Sequence, residues 1–413
     1  MTNPILILGG GFTGLFTALH LSHQRCTLPT ILVDREWSFI FKPLLYEFLS
    51  GELNVDLVWP RYDDLLHNSG IAFVRDTVQD IDLQTRQVRL SSGLQYTYSN
   101  LVLALGSTVG YFGIEGAQEN TFPFRTAEDA IALGQHLRDC LQRASQTSDL
   151  EERRTLLTVA ILGAGRSGIE LAATLADLLP DWYAPLGGNV SEIRIVVIQR
   201  GKEILKGDLN NLRSSAHSAL QKRTVPIELL LEAEVSAVRA NQVEFKRQNS
   251  SEVFPAATII WTTGTATHPL IKALPITEAY RDKQGRLQVT PTLQLPDFPE
   301  VFAGGDCTVD MQNPLPATAQ VAYQQAAMIA RNLKAISEGD APSPVHVRLR
   351  GTLMKLGLDE SVAEIFDRFE VKGKLGHLIR QATYLEMLPT PMRNFKATAE
   401  WLTDEIFHRI AKV

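Results

Sequence analysis

The chain is punctuated by short apolar runs that stop at glycine and are followed by apolar positions at helical spacing. PILIL at 4–8 runs into GGGFTGLFTALHLS, and TILVD at 30–34 follows. A run of four to eight apolar residues before a glycine cluster predicts a buried strand entering a tight turn. The 3.6-residue period after it predicts an amphipathic helix. IAFVRDTVQDID, QVRLSSG and LVLALG within 71–105 read as strands with turns between them. Residues 126–147 turn helical, and polar SQTSDLEERR follows. TVAILGAGRSGIELAATLADLL at 158–179 then repeats the opening design. IRIVVIQRG and TIIWTTG are further strands, and EVFAGGDCT precedes the helical run ATAQVAYQQAAMIARNL.

The repeat is an internal duplication. Strand, glycine turn and helix occur at 4–21 and again at 158–179. A strand ending at a glycine follows each copy: LVLALGS, with Ala104 and Gly106, and IIWTTGT, with Gly264. The fold class expected is α/β, with two Rossmann-like dinucleotide-binding domains and a C-terminal amphipathic helical tail. The boundaries expected are 1–125 and 286–345 for the first domain, 126–285 for the second, and 346–413 for a membrane-association or dimer segment. Two nucleotides meeting at a domain interface would follow.

Gly9, Gly11 and Gly14 fit G-x-G-x-x-G, as do Gly163, Gly165 and Gly168. The first glycine makes the tight turn, the second lets a pyrophosphate approach, and the third lets helix and strand pack closely. The diphosphate then meets the free N–H groups of a helix N-terminus. Asp34 stands about 20 residues on, where such sites carry an acid for a ribose hydroxyl. In the second copy that place falls on Gln199. A neutral amide does not repel a 2′-phosphate, and Arg200 and Lys202 beside it can bond one. This tilts the cofactor toward NADPH and leaves NADH open.

The 413 residues are ample for two or three domains. The formal charge of −6 gives no global attraction to nucleic acid. Cys26, Cys140 and Cys307 show no metal or disulfide-reductase spacing, so no metal site is expected and a reducing compartment is the default. The N-terminus reads as a strand rather than a signal peptide. No apolar stretch nears the roughly 18–20 residues of a membrane span.

With the two glycine turns, EVFAGGDC, FKPLLYE at 41–47 and AQVAYQ at 319–324, the chain resembles the type II NAD(P)H:quinone oxidoreductases. Its tail suggests their cyanobacterial and plastid branch. The resemblance covers nearly the whole chain. It implies FAD at the first glycine turn and NADPH or NADH at the second, with hydride passing to the flavin and two electrons then passing to a membrane quinone. Plastoquinone or a naphthoquinone such as demethylphylloquinone would serve. It places Asp34 on the FAD ribose and Asp306 on the ribityl–phosphate side. Gln320 and Gln324, four residues apart on one helix face, would meet the quinone carbonyls. Glu170 would stand near flavin and nicotinamide, aiding proton delivery. Lys42, in a flavin-facing loop, would stabilise charge on the reduced ring. Plainer roles stay open: a polar turn for Asp306, a helix rim for the glutamines, a structural carboxylate for Glu170 and a solvated lysine for Lys42. A ferredoxin–NAD(P) reductase-like or sulfide:quinone reductase-like enzyme, or a slow redox sensor, stays open too.

From residue 371 the tail carries seven Lys or Arg and four Asp or Glu, a balance of +3. Leu378, Ala382 and Leu385 form one helical stripe; Phe395, Ala399, Leu402, Ile406 and Ile410 form another. Trp401 and Phe407 add aromatic bulk. This fits an interfacial anchor on an anionic membrane; the resemblance implies a peripheral place on the cytoplasmic side of that membrane, a thylakoid or plasma membrane if the chain is cyanobacterial. Helices packed on the body or in a homodimer contact are the alternative.

Overall fold

The computed structural model describes residues 3–248, 250–311, 314–365 and 369–389. Contacts divide the chain into two units. The first comprises 1–40, 59–109 and 265–349; the second comprises 41–58, 110–264 and 350–413.

In the first unit, strand Ile5–Leu8 lies at the centre of a six-stranded sheet and has no exposed side chain. It pairs in parallel with Thr30–Asp34 on one side and Asn100–Leu103 on the other. Burial on both faces explains the unbroken apolar runs. Strands Ala72–Arg75 and Phe298–Ala303 extend the sheet in parallel. The stretch 71–82, expected as one run, breaks after Arg75, and Val78–Asp82 joins a separate antiparallel sheet. Helix Phe12–His23 packs on helix Ala319–Ser337: Phe16 meets Tyr323 edge-on at 4.7 Å.

The second unit repeats the plan. Thr158–Leu162 pairs in parallel with Arg194–Gln199 and Thr258–Trp261 inside a five-stranded sheet. Helix Ala127–Gln146 begins at a reciprocal cap between Thr126 and Asp129. Helix Arg166–Tyr183 is buried along most of its length. FKPLLYE differs from the loop expected of it. Lys42–Leu44 is a 3₁₀ turn with Lys42 exposed, and Leu45–Ser50 is a helix in this second unit.

The C-terminal segment also departs from expectation. Gly351–Lys355, Ser361–Ile365 and Phe369–Val371 form an antiparallel sheet against which helix Gly373–Met387 packs. Arg380, counted among the tail's surface cations, is fully buried against Glu47 and unavailable to a lipid surface. Leu378 and Ala382 are exposed and Leu385 is half-buried. The second stripe, from Phe395 to Ile410, and Trp401 and Phe407 lie outside the described residues.

Candidate functional site

The two glycine turns are built alike. Gly9 and Gly163 take φ of +98° and +111°, which a residue with a Cβ rarely adopts. A Cβ on Gly14 would collide with the Gly9 carbonyl, and one on Gly168 with the Gly163 carbonyl. In front of Gly11 and Gly165 there is open space. Each of these two residues precedes the first turn of a long helix. Both cradles therefore fit a diphosphate: room where the anion must approach, and helix N–H groups to receive it.

The second-strand residue completes each cradle in the same way. Asp34 accepts the Gly10 N–H with one oxygen and the Glu36 N–H, at 2.8 Å, with the other. Burial pushes its carboxyl up, against the pull of those two amides. In the second unit Gln199 Oε1 accepts the Ala164 N–H at 3.2 Å. Gly10 and Ala164 hold the same place in the motif, so Gln199 stands where Asp34 stands. Two residues the sequence analysis passed over flank this amide. Glu234 lies 3.7 Å from Arg200, and Glu232 lies 3.9 Å from Lys202. All four are largely exposed.

In the first unit, Ala104 and Gly106 follow strand Asn100–Leu103, and the Ala104 carbonyl lies against Gly9. Gly264 ends the matching turn in the second unit at φ +74°. Asp306, in the turn after Phe298–Ala303, accepts from the Ser107 hydroxyl at 2.9 Å. It lines a cleft with Arg286, Thr308, Asp310, Thr318 and Gln325. Gln325 is a residue that motif reading missed. It is buried, and its Oε1 accepts the Gly305 N–H at 2.7 Å, holding the GGD turn. The adjoining Cys307 is fully buried, and burial pushes its thiol up to about 12. It is a packed side chain, without the thiolate character of a reactive cysteine.

Gln320 and Gln324 share a face of helix Ala319–Ser337. The Gln324 carboxamide is engaged with the main chain: it donates to the Arg348 carbonyl and accepts the Arg348 N–H, both at 3.0 Å. A quinone carbonyl at Gln324 would have to compete with that pair of bonds.

Glu170 lies one turn into helix Arg166–Tyr183 and is buried. It accepts the Lys355 N–H at 2.8 Å and the Tyr46 hydroxyl. Burial pushes its carboxyl up, although Arg380 opposes the shift. Lys355 and Arg380 carry no sequence signal of this role, since their partners lie 185 and 333 residues away.

The pyridine nucleotide-disulphide oxidoreductase family model matches residues 3–326. A demethylphylloquinone reductase, NdbB, of Synechocystis sp. is 34% identical, across 97% of this chain and 95% of its own length. An alternative NAD(P)H-ubiquinone oxidoreductase, C1, of Arabidopsis thaliana is 32% identical, across 98% and 82%. Among solved structures, NDH2 from Plasmodium falciparum in complex with NADH superposes with a TM-score of 0.87 at 18% identity. That match covers 98% of each chain and is a likeness of fold.

Proposed function

Because the chain belongs to the pyridine nucleotide-disulphide oxidoreductase family and, within it, to the type II NAD(P)H:quinone oxidoreductases, we propose that it is an FAD-dependent, non-proton-pumping NAD(P)H:quinone oxidoreductase. The paired cradles carry this reading: two glycine turns, each open in front of a helix N-terminus and closed by a side chain that accepts the same turn amide. A bound FAD supplies two-electron chemistry between a nicotinamide and a quinone.

The chain's own residues have the remaining work. Gly9, Gly11, Gly14 and the Phe12–His23 helix would hold the FAD diphosphate, Asp34 the adenosine ribose and Asp306 the ribityl side. Ala104 and Gly106 would line that site. Gly163, Gly165, Gly168 and Gly264 would hold the nicotinamide dinucleotide. Gln199 offers an amide where an acid would repel a 2′-phosphate. Arg200 would have to leave Glu234 to bind one, so NADPH use is favoured without excluding NADH. Gln320 and Gln324 would orient the quinone, Lys42 would sit toward the flavin, and Glu170 would hold and deliver a proton. The domain assignment follows: FAD in the first unit, NAD(P)H in the second.

The relatives' names point to a quinone as acceptor, and a naphthoquinone of the demethylphylloquinone type is the finer proposal. No helix among the described residues is long and apolar enough to cross a membrane. We place the enzyme peripherally on the cytoplasmic face, with the segment after residue 389 as its contact. Leu375 and Leu378, 60% and 57% exposed, support this beside Lys372 and Lys374. Steady-state reduction of a short-chain quinone by the FAD-loaded protein, with NADH and NADPH compared, tests the assignment. Quinone reduction by either nucleotide is expected, and none by both would defeat it.

A further inference from the structure

Burying charge is costly unless it is paired, yet the second unit gathers five ionisable groups out of water. Glu47, Lys355 and Arg380 have no exposed side-chain surface, Glu52 is 12% exposed, and Glu170 is buried. Lys355 joins them twice. Its Nζ lies 2.7 and 3.0 Å from the two Glu52 oxygens and 3.3 Å from Glu47 Oε1. Its main-chain N–H donates to Glu170 Oε1 at 2.8 Å. Arg380 donates to Glu47 and, at 2.7 Å, to the Pro43 carbonyl.

We propose that the Lys355 ammonium keeps Glu52 and Glu47 ionised, and that the cluster it organises holds one proton at neutral pH, lodged on Glu170. The proposal deepens the reading of Glu170 as the proton-delivering group and rests on it. Three carboxyls face two cations. Full ionisation would leave one negative charge buried and uncompensated, so retaining a proton is favoured.

The contacts decide which carboxyl keeps it. Glu47 faces both cations, which overcome the effect of burial and hold it at about 2. Burial pushes the Glu52 carboxyl up as it does that of Glu170, but Glu52 meets the Lys355 ammonium with both oxygens and the Ser50 hydroxyl at 2.6 Å. Glu170 has neutral donors, the Lys355 amide and the Tyr46 hydroxyl, and no ion pair among the described residues. The other titratable groups facing the cluster add no charge. Burial raises the Tyr46 and Tyr384 hydroxyls and, with Lys355, lowers His377 to about 4. Glu364 belongs to the opposite face of the strand pair, since Lys355 is opposite Ser361. Loss of the Glu170 proton leaves the cluster with one uncompensated charge, which favours its replacement from water.

pH-difference infrared spectra of the FAD-loaded full chain test this through the C=O stretch of a buried protonated carboxyl. The wild type is expected to show a band at neutral pH that Glu170→Gln removes and Glu52→Gln keeps. Lys355→Met, which removes a cation, should add a second band as Glu52 takes a proton, and Lys355→Arg should restore the single one. In Lys355→Met, kcat for quinone reduction should fall at least about tenfold, while KM for the nucleotide stays within about twofold. A band that survives Glu170→Gln, or vanishes in Glu52→Gln, overturns the proton's assignment. A Lys355→Met spectrum identical to wild type overturns the role of the ammonium. If Lys355→Met does not fold, Lys355→Gln, which keeps a polar side chain without the charge, makes the same comparison, and the near-isosteric glutamine variants still locate the proton. Absence of quinone turnover in the wild type would count against the functional reading alone, because the spectra stand without it.

Discussion

At position 199 the carboxamide oxygen is committed to the Ala164 amide, which leaves Nε2, a donor, as the group to meet a ligand. An acid there would present acceptors and a charge instead. Gln199→Glu should shift the kcat/KM ratio toward NADH by at least about tenfold, equivalent to about 1.4 kcal/mol. Equal losses with both nucleotides would mean that the residue serves the fold. Conversely, Glu232→Gln with Glu234→Gln frees Lys202 and Arg200. NADPH use should rise about two- to fivefold, in keeping with the modest strength of exposed pairs, and unchanged NADPH kinetics would show that those cations do not reach the 2′ position. Gln325→Ala should leave the Gly305 N–H without its partner, at a cost of about 1–3 kcal/mol. A lower unfolding midpoint and weaker flavin retention are the expected readouts. The glycines and Asp34 were legible in the sequence because backbone geometry leaves those places few alternatives. Gln325 and Lys355 were not, since a hydrogen bond made across 20 or 185 residues leaves no local pattern.

Element by element, the central strands and the helices that follow glycine turns were readable, because burial on both faces demands unbroken apolar runs. Even the start of helix Ala127–Gln146 is written in Thr126 and Asp129. FKPLLYE was not readable: its helix has no capping side chain and is instead tied down by Arg380, which bonds Glu47 and the Pro43 carbonyl. Helix Gly373–Met387 was read as one amphipathic stripe, yet it turns Leu375 and Leu378 outward and Arg380 inward. Its His377 makes a pH signature. Burial, then Lys355, lowers that imidazole to about 4, against about 6.5 when unfolded. The stability it contributes is full above about 6.5 and is lost as pH falls toward 4, because the unfolded chain binds the extra proton. Thermal midpoints should decline across that window, and His377→Gln should flatten the decline; an equally steep slope in the variant would assign it to other groups. Glu47 acts lower, losing its contribution as pH falls from about 4.3 through about 2.

For the whole molecule, the duplication was visible in the sequence, but the place of residues 41–58 in the second unit was not. Contiguous apolar patterning says nothing of residues 41–58, which join the second unit long before its own strands begin. A chain ending at residue 389 should lose affinity for anionic vesicles in co-sedimentation while still reducing a short-chain quinone. Undiminished vesicle binding would remove the tail from the membrane contact. The pairing of Glu47 with Arg380 also bears on how the protein is made. A ribosome adding about 5–20 residues per second delivers the acid and its partner, 333 residues apart, some tens of seconds from one another. For most of that interval, until Lys355 follows, the nascent chain carries an acid with no counter-charge to enclose it. The second unit thus closes late, when nearly the whole polypeptide has been translated.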